Sequence, residues 1–225
     1  MEPASPSSCG ILGEINGFRF MKNQKQVFYV HGGDSYSDHD AFLDDLKARI
    51  PRDLPDLPKP KKWTETLRND LGAEYEVFMP SMPNSQNAVY EEWKTWFERH
   101  FEYLEQEVTL VGWSLGALFL NKYLIEETLP FAVRALILLA PPFESIEGED
   151  DDCGEFIFDT DDIDILAKKV KNIVIMHSKD DFVVPYEHVL KYKAALPEAE
   201  IVTFEDKNHF LIPEFPELIE KIKGF

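Results

Sequence analysis

The chain is poor in cysteine, poor in cationic side chains and without any long apolar run. Its two cysteines, Cys9 and Cys153, lie far apart in segments rich in Ser, Asp, Glu and Gly. With no C-x-x-C pair and no histidine cluster at metal-ligand spacing, neither a disulfide framework nor a structural zinc is expected. No stretch approaches the roughly 18 to 20 apolar residues of a membrane span, and the first residues lack the basic start and apolar core of a secretory signal. A reducing, cytoplasmic compartment is therefore the expectation. Lys and Arg number 23 against 42 Asp and Glu, a net charge of -19. Such a chain repels phosphate backbones and anionic headgroups, so neither nucleic acid nor a membrane surface is expected as a partner.

What is present is a core. At 225 residues with 44% hydrophobic and 13% aromatic side chains, the chain can bury one full core but hardly two, so a single domain is expected. Residues 1–20 are Pro/Ser-rich and without a clear period, which reads as a flexible N-terminal extension, leaving 21–225 as the domain. From Val27 onward short apolar runs alternate with longer amphipathic segments. This is the pattern of an α/β fold, a mostly parallel sheet with helices on both faces. Strands are expected at 27–30, 74–79, 108–111, 135–139, 173–176 and 200–204. A helix is expected over 91–104, where Trp93, Trp96, Phe97, His100, Phe101 and Leu104 recur at helical spacing as core positions. Others are expected over 64–71, with Thr64 as N-cap and Gly72 as stop, and near 162–170, 187–195 and 215–222.

One motif carries chemistry. Gly112-Trp113-Ser114-Leu115-Gly116 lies between an expected strand and an expected helix, the context of a G-x-S-x-G nucleophile elbow. The serine of such a turn is strained and projects its hydroxyl, and side chains at the flanking glycines would collide with strand and helix. A serine hydroxyl needs a base held by a carboxylate, in chain order Ser, then Asp or Glu, then His. Both follow expected strands: Asp180 and Asp181 in His177-Ser178-Lys179-Asp180-Asp181-Phe182-Val183-Val184-Pro185, and His209 in Asp206-Lys207-Asn208-His209-Phe210. Open α/β sheets place their ligands at these strand ends. Asp181, heading a D-x-x-V-P turn, is the favoured acid, with Asp180 the alternative; the other would cap the turn. An oxyanion hole requires backbone N–H groups. Leu115 should supply one, and the His31-Gly32-Gly33-Asp34 loop the other, through Gly33 or, second, Asp34.

Four segments, His31–Gly33, Gly112–Ala117, Ser178–Pro185 and Asp206–Ile219, together resemble the α/β-hydrolase superfamily. Within it they are similar to the small serine hydrolases of the YdeN and retinoblastoma-binding serine hydrolase type. The resemblance runs from about residue 25 to the end of the chain. It implies a single α/β-hydrolase domain without a large cap, and a triad of Ser114, Asp181 and His209, the acid being the second of the paired aspartates. It also implies hydrolysis of carboxylic esters, or of amino-acid esters and related amides, without cofactor or metal. The chain departs from the family pattern at Asn208, where a glycine is common before the histidine, and in its N-terminal extension.

Other residues have plainer readings. His31 is expected to shape its loop by hydrogen bonding, and His39, His100, His177 and His188 to be surface or packing residues. Cys153 lies among carboxylates that raise its thiol pKa, which argues against a nucleophile. Residues 144–164, at the position where many α/β-hydrolases insert a lid, hold eleven acidic side chains and no Lys or Arg. This loop either is simply solvated or, overhanging the site, favours cationic substrates such as amino-acid esters. The expected activity is thus a serine hydrolase acting on small soluble carboxylic esters, amino-acid esters or amides through an acyl-enzyme on Ser114; the sequence does not identify a protein partner. The rivals are an aminopeptidase-like amidase with the same triad, and a noncatalytic interaction protein on the same scaffold.

Overall fold

A computed structural model describes residues 13–15, 18–20, 24–51, 59–145 and 153–225. Within the N-terminal twenty residues, β1 (Gly13–Ile15) pairs antiparallel with β2 (Phe18–Phe20). Six further strands form one parallel sheet. In chain order the elements are β3 (Lys25–Val30), α1 (His39–Ala48), α2 (Trp63–Leu71), β4 (Tyr75–Phe78), α3 (Tyr90–Glu98), β5 (Glu107–Trp113) and α4 (Leu115–Glu126). Then follow β6 (Ala132–Leu139), α5 (Asp164–Lys169), β7 (Ile173–Ser178), α6 (Glu187–Ala195), β8 (Glu200–Phe204) and α7 (Pro216–Lys223). Every strand expected from Val27 onward is present.

The order across the sheet is β4-β3-β5-β6-β7-β8. The chain winds outward from β3 to β4, then returns past β3 to β5 and winds the other way. Loops leaving the carboxyl ends of β3 and β5 therefore diverge, and the crevice between them is the place where such sheets take a ligand.

The four inner strands, β3, β5, β6 and β7, are buried on both faces, as central parallel strands must be. Alternate residues Phe28, Val30, Leu110, Leu136, Leu138 and Ile175 join one cluster with α3, α4, α5 and α6, through Trp93, Phe97, Phe119, Leu166 and Tyr192. Val27, Tyr29, Val111, Ile137, Leu139 and Met176 face a second cluster with Trp63 and Leu67 of α2 and Leu218 and Ile222 of α7. This is the two-residue period of a strand, read once on each side.

Two local expectations are corrected. Thr64 is not an N-cap: α2 begins at Trp63 after Lys62, which makes no side-chain cap bond. Trp63 N–H instead donates to Ile212 O at 3.0 Å, so a distant loop satisfies the helix end that a local cap would serve. Helix α3 ends at Glu98 and tightens into a 3-10 turn, Phe101–Tyr103, with His100 N–H bonded to Phe97 O. Its buried face is Tyr90, Trp93 and Phe97, while Trp96 is 42% exposed and lies against the His100 ring. The acidic segment divides. Residues 146–152 lie outside the described residues, whereas Phe156, Phe158 and Ile163 are buried in the first cluster.

Candidate active site

The serine elbow is built as its glycines require. Ser114 adopts φ 54°, ψ -124° between β5 and α4, a left-handed backbone that a side-chain-bearing residue occupies only when its surroundings over-determine it. A Cβ at Gly112 would stand 2.6 Å from Ala117 Cα, and one at Gly116 would stand 2.3 Å from Val30 O. The first distance is helix against strand, the second helix against β3. Ser114 N–H is held by Leu139 O at 2.9 Å.

Of the two aspartates, Asp181 is the one that meets the histidine. His209 Nδ1 donates to Asp181 Oδ2 at 2.8 Å and lies 3.1 Å from Oδ1. Oδ1 also accepts the N–H groups of Val183 (2.8 Å) and Val184 (2.9 Å). Burial alone would raise the Asp181 carboxyl pKa. The His209 hydrogen bond and charge, with the two backbone donors, outweigh it and hold the pKa below the ordinary carboxylate value. With Nδ1 committed to the carboxylate, Nε2 is the remaining ring nitrogen.

Asp180 has a different task. Its Oδ1 accepts from Ser178 Oγ at 2.5 Å and from Asn208 N–H at 2.8 Å, and Ser178 Oγ in turn accepts from Lys207 N–H at 2.9 Å. It therefore ties the acid loop to the histidine loop. Asn208 itself sits at φ 42°, in the region that glycine enters freely and that asparagine tolerates better than other side chains. Asn208 Oδ1 adds a bond from Leu211 N–H at 2.9 Å.

The expected oxyanion residues separate. Asp34 N–H is already bonded to Ser85 O at 2.9 Å, which removes the second choice. The N–H groups of Gly33 and Leu115 donate to no other described residue. Gly33 is nonetheless a glycine for a packing reason: its Cβ would meet Ser85 O at 2.6 Å and the Trp93 ring at 3.3 Å. The glycine that clears the nucleophile is Gly32, whose Cβ would lie 3.1 Å from Ser114 Cβ and 3.7 Å from its Oγ. His31 shapes this loop as expected, donating from Nδ1 to Gly32 O (2.6 Å) and accepting Met82 N–H at Nε2 (2.8 Å).

Three residues contribute that composition and motif did not single out. His177 is fully buried on β7; its Nε2 donates to Val184 O at 2.9 Å and stands 3.6 Å from Asp181 Oδ2. Burial lowers its pKa, so the ring is neutral and the contact is no ion pair. Trp113, the residue before the nucleophile, donates its indole N–H to His209 O at 3.1 Å, and Trp63 donates to Phe210 O at 3.0 Å. The first could have been suspected from its place inside the elbow. The others are invisible without the tertiary contact. Among the described residues no three His, Cys, Asp or Glu side chains are grouped as a metal site, and no helix is long and apolar enough to cross a membrane.

A family model described as serine hydrolase matches residues 57–215. The chain belongs to the serine hydrolase family. That stretch contains the elbow, both aspartates and His209. The hydrolase's fold is shared with the ydeN gene product from B. subtilis, at a TM-score of 0.68 and 21% identity over 89% of this chain and 98% of that one. Est1E from Butyrivibrio proteoclasticus is similar at a TM-score of 0.57 and 14% identity over 96% of each chain. An esterase from Exiguobacterium antarcticum is similar at 0.57 and 17% identity over 91% and 92%. No curated protein matches the chain. At these identities the solved structures speak to the fold, and the family match makes the protein a hydrolase.

Proposed function

We propose that this serine hydrolase cleaves small soluble carboxylic esters through an acyl-enzyme on Ser114. Asp181 orients His209, and the N–H groups of Leu115 and Gly33 receive the oxyanion. The observation that carries this reading is the 2.8 Å contact between His209 Nδ1 and Asp181, made at strand ends beside a strained serine elbow. Ser114 Oγ attacks the carbonyl carbon while its proton passes to His209 Nε2, and the carbonyl electrons move to the oxygen facing the two N–H donors. Collapse expels the alcohol, which takes the proton from His209. Water, deprotonated by His209, then attacks the acyl-enzyme and releases the acid and Ser114. Ser114 Oγ makes no hydrogen bond to a described residue; catalytic bonds of this kind commonly tighten only once substrate is bound.

Small substrates are favoured because the described part of the insert between β6 and β7 commits its apolar residues Phe156, Phe158 and Ile163 to the core. Phe182 and Leu211, 69% and 45% exposed, flank the acid and the base and suit an apolar group on the ester. The test is labelling by a fluorophosphonate, in parallel with turnover of a panel of acyl esters and matched amides. The protein should label and hydrolyse short esters, and Ser114→Ala should abolish both. Labelling that persists in folded Ser114→Ala would overturn the assignment, and faster turnover of amides would overturn the ester preference.

A further inference from the structure

The loop that carries His209 holds an improbable backbone. Asn208 and Phe210, the residues on either side of the histidine, both have positive φ, 42° and 55°. For asparagine this is a modest demand. For a bulky aromatic residue it is a genuine outlier, which persists only where the surroundings leave no alternative. Phe210 is 1% exposed, stacked on Phe215 at 4.8 Å and edge-on to Phe204 at 5.8 Å. Packing of that ring accounts for the side chain, but not for where the peptide carbonyls on either side of it point.

Those carbonyls are taken by two indoles. Trp113 Nε1–H donates to His209 O at 3.1 Å and Trp63 Nε1–H to Phe210 O at 3.0 Å. The donors come from different elements: Trp113 is the residue before Ser114 in the elbow, and Trp63 is the first residue of α2. The rings themselves are fixed. Trp63 is 3% exposed and packs edge-on against Tyr29 and Phe215, and the Trp113 ring lies 5.6 Å from that of His209. Trp63 N–H also bonds Ile212 O, so α2 grips the loop at two points.

We infer that Trp113 and Trp63 are positioning residues for His209, a pair of indole donors that hold two consecutive carbonyls of the base loop and, through Trp113, tie its placement to the nucleophile elbow. The inference rests on the reading of His209 as the base. Its physical content is that each indole N–H is carried on a packed ring and donates from a set direction, whereas a water in its place would move with the carbonyl and leave it to rotate. A carbonyl that rotates beside a residue at positive φ lets that residue relax toward ordinary φ. The imidazole would then swing from the geometry in which Nδ1 faces Asp181. The acid turn does not supply this restraint, because Asp181 acts on the ring and Asp180 on the Asn208 N–H.

The test replaces Trp113 and Trp63 by Phe, singly and together, with exposed Trp96→Phe as a control. Thermal stability, kcat and KM on a short ester, and the downfield proton resonance of His209 Nδ1–H are measured on each. Trp113→Phe should lower kcat by about tenfold, one hydrogen bond's worth of alignment, with KM within about twofold. The double variant should lose more. The Nδ1–H resonance should broaden in step, while Trp96→Phe changes none of these. If Trp113→Phe does not fold, incorporation of 3-benzothienylalanine, which keeps the ring shape and lacks the N–H, replaces it. Folded Trp113 and Trp63 variants with unchanged kcat and an unchanged resonance would overturn the inference. The resonance reports on the His209–Asp181 pair whether or not the protein turns over an ester, so a failed clamp and a failed catalytic reading are distinguishable.

Discussion

Asp180 and Asp181 are neighbours with the same functional group and separate work, and the difference lies in what each oxygen touches. Asp181 faces the His209 ring and is shielded from water, while Asp180 receives Ser178 Oγ and Asn208 N–H. Asp181→Asn should cost on the order of 10^3- to 10^4-fold in kcat/KM, because the amide cannot select the correct imidazole tautomer. Asp180→Asn should cost about tenfold, the loss of charge assistance to loop bonds. Steady-state kinetics on one ester measures both, and a larger loss at Asp180 would reverse the assignment. The chain order and the D-x-x-V-P spacing already favoured Asp181, but two adjacent carboxylates cannot be told apart until one is seen against the imidazole. Gly32 and Gly33 repeat the lesson. Two consecutive glycines announced a close approach of backbone, and only packing against Ser85 and Trp93 showed that the clearance over Ser114 belongs to Gly32.

At the scale of elements, the elbow between β5 and α4 was readable because its motif is contiguous in sequence, although only Gly112 avoids a collision with the helix it leads into, and Gly116 clears Val30 and His31 at the end of β3. The histidine loop is less local. Its Asn208 sits at φ 42°, a conformation that glycine enters freely, so Asn208→Gly should leave stability and kcat close to the wild-type values. Asn208→Ala should destabilise the protein by about 1 to 2 kcal/mol, through a left-handed alanine and the lost bond to Leu211 N–H, and should lower kcat. Denaturant unfolding of the two variants checks this, and an alanine variant as stable as the glycine one would refute the strain argument. The same contrast explains the end of α2. Thr64 had the chemistry of a cap, but Ile212 O, far along the chain, supplies the partner for Trp63 N–H.

For the molecule as a whole, burial of His177 and His188 makes stability depend on pH. Both rings have their pKa lowered, chiefly by burial, and both are used as neutral rings, His177 donating to Val184 O and His188 Nδ1 accepting Phe143 N–H. Below the ordinary histidine value of 6.5 the unfolded chain takes up protons that the folded chain refuses. Stability is therefore fully present above that value and falls as pH drops through it, by about 1.4 kcal/mol for each tenfold difference in proton affinity. Asp181, with its folded pKa depressed, extends the loss into the carboxylate range. Melting temperature should fall from about pH 7 to about pH 5. His177→Gln, which can keep an N–H for Val184 O, should melt with a shallower dependence, and an unaltered slope would count against His177.

The sequence by itself determined the class of fold and the strands, and it named Ser114, His209 and the adjacent pair Asp180 and Asp181 as candidates. Each of these is encoded in short windows: the apolar runs of buried parallel strands, the elbow glycines, and an acid and a base at successive strand ends. Tertiary structure alone decided which aspartate meets His209, which glycine opens toward Ser114, and which side chains hold the base loop. Those choices depend on contacts between residues tens of positions apart, such as Trp113 with His209 and Trp63 with Phe210. No local pattern records such a contact, because it exists only once the sheet has brought the carboxyl ends of its strands together.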